Sequence, residues 1–254
     1  MKIVFNNKFH DSDYSNDAAA KEGRMEAVMS EVSSARGYST IECISADDDY
    51  IGMIHDKNYI ESVRKNRPLY EMALLAAKGT KKAGEIGAMR EPAFAAVRPP
   101  GHHAYKDFGW GTCIFSNLAL SLVNLKNIGL IKSALVVDID AHTGDGTREV
   151  LKFWNEAVCF NPMAENGREY IKTVKDFLKD QGEFDILAIS AGFDAYEKDL
   201  GKKLNRFDYY VLGREFAEFS NKKTKGKRFA VLEGGYYLPD LGKNVVSFCD
   251  GFEK

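Results

Sequence analysis

Val136-Val-Asp-Ile-Asp-Ala-His-Thr-Gly-Asp-Gly-Thr147 passes from an apolar run into a loop of carboxylates, an imidazole and glycines. Leu135, Val136 and Val137 show no polar alternation, the pattern of a strand buried on both faces, and Gly144 and Gly146 break the run into a tight loop. Side chains alternate along a strand, so an extended backbone continuing into the loop points Asp138, Asp140 and His142 to one side. Two carboxylates and an imidazole suit a divalent metal, and the carboxyl ends of parallel strands are where α/β proteins place their sites. Taken alone, the string also reads as polar residues in a solvated loop.

The chain on either side repeats the same alternation. Strand patterns fall at 2–5, 93–97, 157–160, 185–190 and 228–232, and helical patterns at 18–32, 69–89, 114–125, 148–154, 168–179, 207–219 and 241–248. Strands alternating with helices predict an α/β fold, a three-layer αβα arrangement around a mostly parallel sheet, in one domain over 1–254. Two prolines end the strand before His102 and His103, which places both histidines in a shaped loop.

Composition narrows the function classes. The 254 residues are 44% hydrophobic and 28% charged, the balance of a globular domain, and a net charge of -2 makes no case for nucleic acid. The basic run Lys222, Lys223, Lys225, Lys227 and Arg228 reads as a solvated helix end and loop. Cys43, Cys113, Cys159 and Cys249 form no close pair, so neither a thiolate zinc site nor a disulfide framework is expected. With no signal-like N-terminal run and no membrane-length apolar stretch, the expected compartment is the cytoplasm, with no membrane partner.

Four strand-like runs end in polar or glycine-bearing loops, at His102-His103, Asp138-Ile-Asp-Ala-His142, Gly192-Phe-Asp194 and Gly234-Gly-Tyr236. A parallel sheet brings such ends to one edge. Individually, each histidine is equally a structural one, Asp194 an ordinary loop carboxylate and Tyr236 a partly buried ring. Together, Arg98-Pro-Pro-Gly-His-His-Ala104, Asp138-Ile-Asp-Ala-His142 with Gly144-Asp-Gly-Thr147, Ser190-Ala-Gly-Phe-Asp194 and Leu232-Glu-Gly-Gly-Tyr236 resemble the histone deacetylase family, including its acetylpolyamine-hydrolase and acetoin-utilisation branches. Gly23-Arg-Met-Glu-Ala27 resembles the family's N-terminal signature.

The resemblance implies the arginase/deacetylase fold and a zinc-dependent amidohydrolase. Attack of a metal-bound water would remove an acetyl or acyl group from an amine on an alkyl chain, such as acetyl-lysine in a protein or an acetylated polyamine. It implies one Zn2+ held by Asp140, His142 and Asp194, ligands that Fe2+ or Co2+ also suits. His103 would be the general base, oriented by Asp145, with Asp138 orienting His102, and Tyr236 would stabilise the oxyanion. A structural K+ near Asp138, Asp140 and His142 is implied as well.

Three positions depart from the family pattern. Thr143 follows His142 where many members carry a second histidine. Thr112 stands in Gly111-Thr-Cys113 where the family has a phenylalanine lining the acyl-lysine channel, so Trp110 or Phe108 takes that place or the channel is wider. Lys57 occupies the position where many protein deacetylases hold a backbone-gripping aspartate. Two other classes compete. Asp140-Ala-His-Thr143 also resembles the dinuclear manganese site of ureohydrolases, although the second aspartate of their Asp-x-Asp pair is missing. A non-catalytic metal-containing module that binds acylated amines is the other, but it would need neither His103 nor Tyr236.

Overall fold

Apolar runs without alternation build the middle of the sheet. β3 (Ala93–Ala95), β4 (Ala134–Asp138), β6 (Ile186–Ala191) and β7 (Arg228–Leu232) are buried at every residue. β1 (Lys2–Phe5), β2 (Ser39–Glu42) and β5 (Ala157–Phe160) complete a parallel sheet in the order β2-β1-β3-β7-β6-β4-β5. This is a computed structural model that describes residues 1–43 and 48–254.

Helices cover both faces. α4 (Arg67–Ala88) packs on β1, β3 and β7 and against α5 (Asn117–Asn127), while α8 (Arg206–Lys223) packs on α9 (Leu238–Phe252), which also meets α1 (Arg24–Ser34). α4 starts where the Asn66 side chain accepts the Leu69 N–H, with a proline in its first turn. α2 (Asp48–Ile51), α3 (Lys57–Arg64), α6 (Asp145–Leu151) and α7 (Gly167–Lys179) fill the connections. Among the described residues, no helix is long and apolar enough to cross a membrane. The α/β class and parallel sheet expected from the sequence are therefore observed.

Several elements differ from the sequence expectation. The helix expected over 18–32 is two pieces, a 3-10 turn at Ala18–Ala20 capped by the Asp17 side chain, and α1. The break falls at Gly23, whose φ of +81° suits glycine and leaves Arg24 fully buried. β2 gives little sequence signal because its residues, Ser-Thr-Ile-Glu, lie at the sheet edge and are mostly exposed. α6 begins at Asp145, inside the glycine-bearing loop. Arg228 leaves the expected solvated run: it is 3% exposed, and its guanidinium donates to the Phe252 and Glu253 carbonyls at the end of α9.

His55, between α2 and α3, makes a pH prediction. It is 3% exposed, its Nε2 accepts the Ser116 N–H, and its ring lies 5.1 Å from that of Phe115. Burial pushes its pKa from 6.5 to about 4. Between those pH values the unfolded chain binds a proton that the folded chain refuses, so stability falls as pH drops through the window, by about 3 kcal/mol in all. Thermal unfolding from pH 7 to 4 should therefore show a steeper loss of midpoint for the wild type than for His55→Asn, and parallel profiles would refute the assignment.

Candidate active site

The segment after β4 does not stay extended. The Asp140 N–H donates to Asp138 Oδ1 (3.0 Å) and the His142 N–H to Asp140 Oδ1 (3.0 Å), two successive Asx-type turns that curl the chain. Asp138 therefore does not join Asp140 and His142 as the simple alternation predicts. Its Oδ2 instead lies 3.0 Å from His102 Nδ1.

Asp140 and His142 meet Asp194, from the loop after β6. His142 Nδ1 is 3.0 Å from Asp140 Oδ1 and 2.9 Å from Asp194 Oδ2. The approach is close because glycines surround it: a Cβ on Gly192 would stand 2.4 Å from Asp140 Cα, and one on Gly234 would stand 2.5 Å from Asp140 Oδ2. Backbone N–H groups hold the outer oxygens, Ala141 donating to Asp194 Oδ1 (2.8 Å) and Gly234 to Asp140 Oδ2 (2.8 Å).

This donor set fits a divalent cation. Both carboxylates are buried while His142 remains exposed at the open side, and the three ligand atoms lie within 4.8 Å of one another. One imidazole N–H cannot serve two carboxylates, and among the described residues Asp194 Oδ2 is left without a well-aligned donor despite its burial. Burial and the Asp140 charge raise the Asp194 pKa above the usual carboxylate range, and the two adjacent carboxylates of Asp140 and Asp194 push His142 up to about 10. A cation between them relieves that repulsion. A second group, His102, Cys113 and Glu233, is also close enough for a metal. It fits less well, because burial holds the Cys113 thiol well above its usual range and the Glu233 oxygens already accept hydrogen bonds.

Beside the carboxylates lies a stack of three rings. His102 and His103 have centroids 3.9 Å apart, and Trp110 covers the other face of His103 at 3.8 Å. His103 Nδ1 is 2.7 Å from Asp145 Oδ1. Burial, followed by the neighbouring His102, lowers the pKa of His103, whereas the Asp140 and Asp138 charges overcome burial and hold His102 above its ordinary value.

The sequence reading assigned no role to Glu233, Arg24 or Asp199. Glu233 is fully buried and accepts from the Gly101 and His102 N–H groups (2.8 and 3.2 Å) and from Ser190 Oγ (3.1 Å), tying the histidine loop to β6 and β7. Burial pushes it up to about 7. Arg24 donates to the Glu233 and Gly235 carbonyls, and Asp199 Oδ2 accepts the N–H groups of Tyr236 and Tyr237 (2.6 and 2.7 Å). Glu233 and Arg24 lie inside the quoted motifs, which is the signal that could have found them.

A cavity of about 330 Å³ opens onto these groups, lined by His102, His103, His142, Tyr236, Trp110 and Leu200 among others. Burial raises the Tyr236 phenol, keeping it protonated. Phe108 stacks instead on Tyr105 (4.4 Å), away from the cavity lining, and Lys57 is exposed in the first turn of α3.

A seven-stranded parallel sheet with this cluster at its carboxyl edge defines an α/β protein of the arginase/deacetylase fold. The histone deacetylase domain model matches residues 18–173, and the chain belongs to the histone deacetylase family. Histone deacetylase 18 of Arabidopsis thaliana is 28% identical over an alignment covering 80% of this chain and 39% of that protein. A probable deacetylase of Archaeoglobus fulgidus is 29% identical (73% and 63% covered), and the acetylpolyamine amidohydrolase of Mycoplana ramosa 28% identical (72% and 63% covered). The chain thus spans about two fifths of the Arabidopsis relative's length and under two thirds of the other two. The crystal structure of the HDA15 HD domain superposes with a TM-score of 0.82 over 99% of this chain and 88% of that one, at 19% identity.

Proposed function

We propose that the chain is a metal-dependent amidohydrolase that removes an acetyl or acyl group from an amine carried on an alkyl chain. The observation that supports it most is that His142 of the Asp140, His142 and Asp194 cluster, His103 of the His103–Asp145 pair, and Tyr236 all line one cavity. Zn2+, or Fe2+ or Co2+, held by those three residues supplies Lewis-acid charge that polarises a carbonyl and makes water a better nucleophile.

The remaining work falls to side chains of this chain. Asp145 fixes the ring of His103 through Nδ1, leaving Nε2 to accept a proton from water and return it to the departing amine. Its lowered pKa keeps it in the neutral, accepting form. Asp138 holds His102 in the same way. Tyr236, kept protonated, donates to the carbonyl oxygen as negative charge develops there. Trp110 and Leu200 give the cavity apolar walls for an alkyl chain. A dinuclear ureohydrolase-like site is disfavoured because a further aspartate at position 192 has no room beside Asp140. Cytoplasmic localisation, a single domain and the K+ site remain part of this reading.

Acetate release from a fluorogenic acetyl-lysine peptide and from N-acetylputrescine tests the proposal. One of them should be turned over, with activity lost to a chelator and restored by Zn2+. Metal binding with no turnover of either substrate would favour a binding module.

A further inference from the structure

Trp110 faces two ways. Its indole stacks on His103 with planes 28° apart, and its ring N–H donates to Asp145 Oδ2 (3.1 Å), the oxygen opposite the one that meets His103. The side chain is nonetheless 45% exposed and lines the cavity. We infer that Trp110 is both the aromatic wall along which the substrate's alkyl chain lies and a positioning residue for the Asp145–His103 pair. This inference rests on the amidohydrolase reading and adds to the apolar wall a positioning role for Trp110.

The local backbone is shaped to bring the indole back over His103, seven positions earlier in the chain. Ala104 and Gly109 form an antiparallel bridge, closed by the Tyr105 N–H donating to the Phe108 carbonyl (2.8 Å). A Cβ on Gly109 would stand 2.4 Å from the Cys113 carbonyl oxygen, and Gly111 has φ +63°, so both positions require glycine. Thr112, small and also on the cavity wall, leaves that side open for the indole.

Each contact has a distinct consequence. The Gly146 N–H (2.9 Å, on Oδ1) and the Tyr105 side chain also hold the Asp145 carboxylate, and the indole N–H adds a donor on Oδ2 that further restricts its terminal torsion while Oδ1 serves His103. The indole face also prevents the imidazole from tilting away from His102. Toward the cavity, the same ring offers a flat, polarisable surface on which methylene groups gain dispersion contacts. Phe keeps the flat ring without the N–H, whereas Ala removes both, so the two roles separate experimentally.

The test compares wild type, Trp110→Phe, Trp110→Leu and Trp110→Ala in two measurements. One is turnover of the acetyl-lysine peptide and of N-acetylputrescine. The other is calorimetric binding of a peptide bearing a methyl-ketone analogue of acetyl-lysine, which cannot be hydrolysed. Trp110→Phe should bind the analogue within about twofold of wild type yet lose about 5–10-fold in kcat, the effect of one partly exposed charge-assisted hydrogen bond. Trp110→Ala should weaken analogue binding by about tenfold in addition, with Leu between them. Wild-type binding by Trp110→Ala overturns the wall, and unchanged kcat in Trp110→Phe overturns the positioning role. If wild type binds the analogue in a Trp110-dependent way but turns over neither substrate, the hydrolase reading and the positioning role fail while the wall stands.

Discussion

Asp194→Asn should lose its bound metal and its turnover together. The substitution preserves the side-chain shape and the oxygen that accepts the Ala141 N–H, so the loop after β6 keeps its anchor. What it removes is one of two negative charges that converge on His142 Nδ1. Activity should fall by more than the roughly 10–100-fold typical of outer-sphere partners, and metal content after dialysis should drop well below one ion per chain. A wild-type metal content would remove Asp194 from the proposed ligand set. Proton linkage gives a second readout. In the metal-free chain the Asp140 and Asp194 carboxylates raise the pKa of His142, and burial with the Asp140 charge raises that of Asp194. The metal has to displace the protons held there, so its affinity should climb as pH rises from 5 and proton release should accompany binding.

Tyr236→Phe should lower kcat by about 10²–10³-fold, the scale of losing one oxyanion donor. Metal content and unfolding midpoint should not change, because the backbone of Tyr236 is fixed independently by Asp199 and the ring remains. A rate close to that of wild type would take the hydroxyl out of the mechanism. An accompanying loss of metal would instead mean that Tyr236 supports the cluster structurally.

The layout of the site was largely legible in the sequence because covalent order maps onto a parallel sheet. Histidines after β3, carboxylates after β4 and β6, and the Gly-Gly-Tyr turn after β7 all reach one edge. The four strands are not consecutive in the chain, since β5 intervenes between β4 and β6. They are contiguous in the sheet as β3-β7-β6-β4, with β5 displaced to the edge, and that adjacency is what closes the site. Simple alternation failed at Asp138, where two side-chain-to-backbone turns overrode the extended geometry. Glu233, Arg24 and Asp199 went unassigned because they act largely through backbone N–H and carbonyl groups, whose partners depend on the fold rather than on spacing. Trp110 and Phe108 were indistinguishable as channel residues until the turn after Ala104 sent the first to His103 and the second to Tyr105.

The most direct test of a single-metal hydrolytic centre is to titrate the metal-stripped chain with Zn2+ while following acetate release from the better of the two substrates. Activity should rise linearly and break at one equivalent per chain. A break at two equivalents, or turnover at full rate before any metal is added, would contradict it.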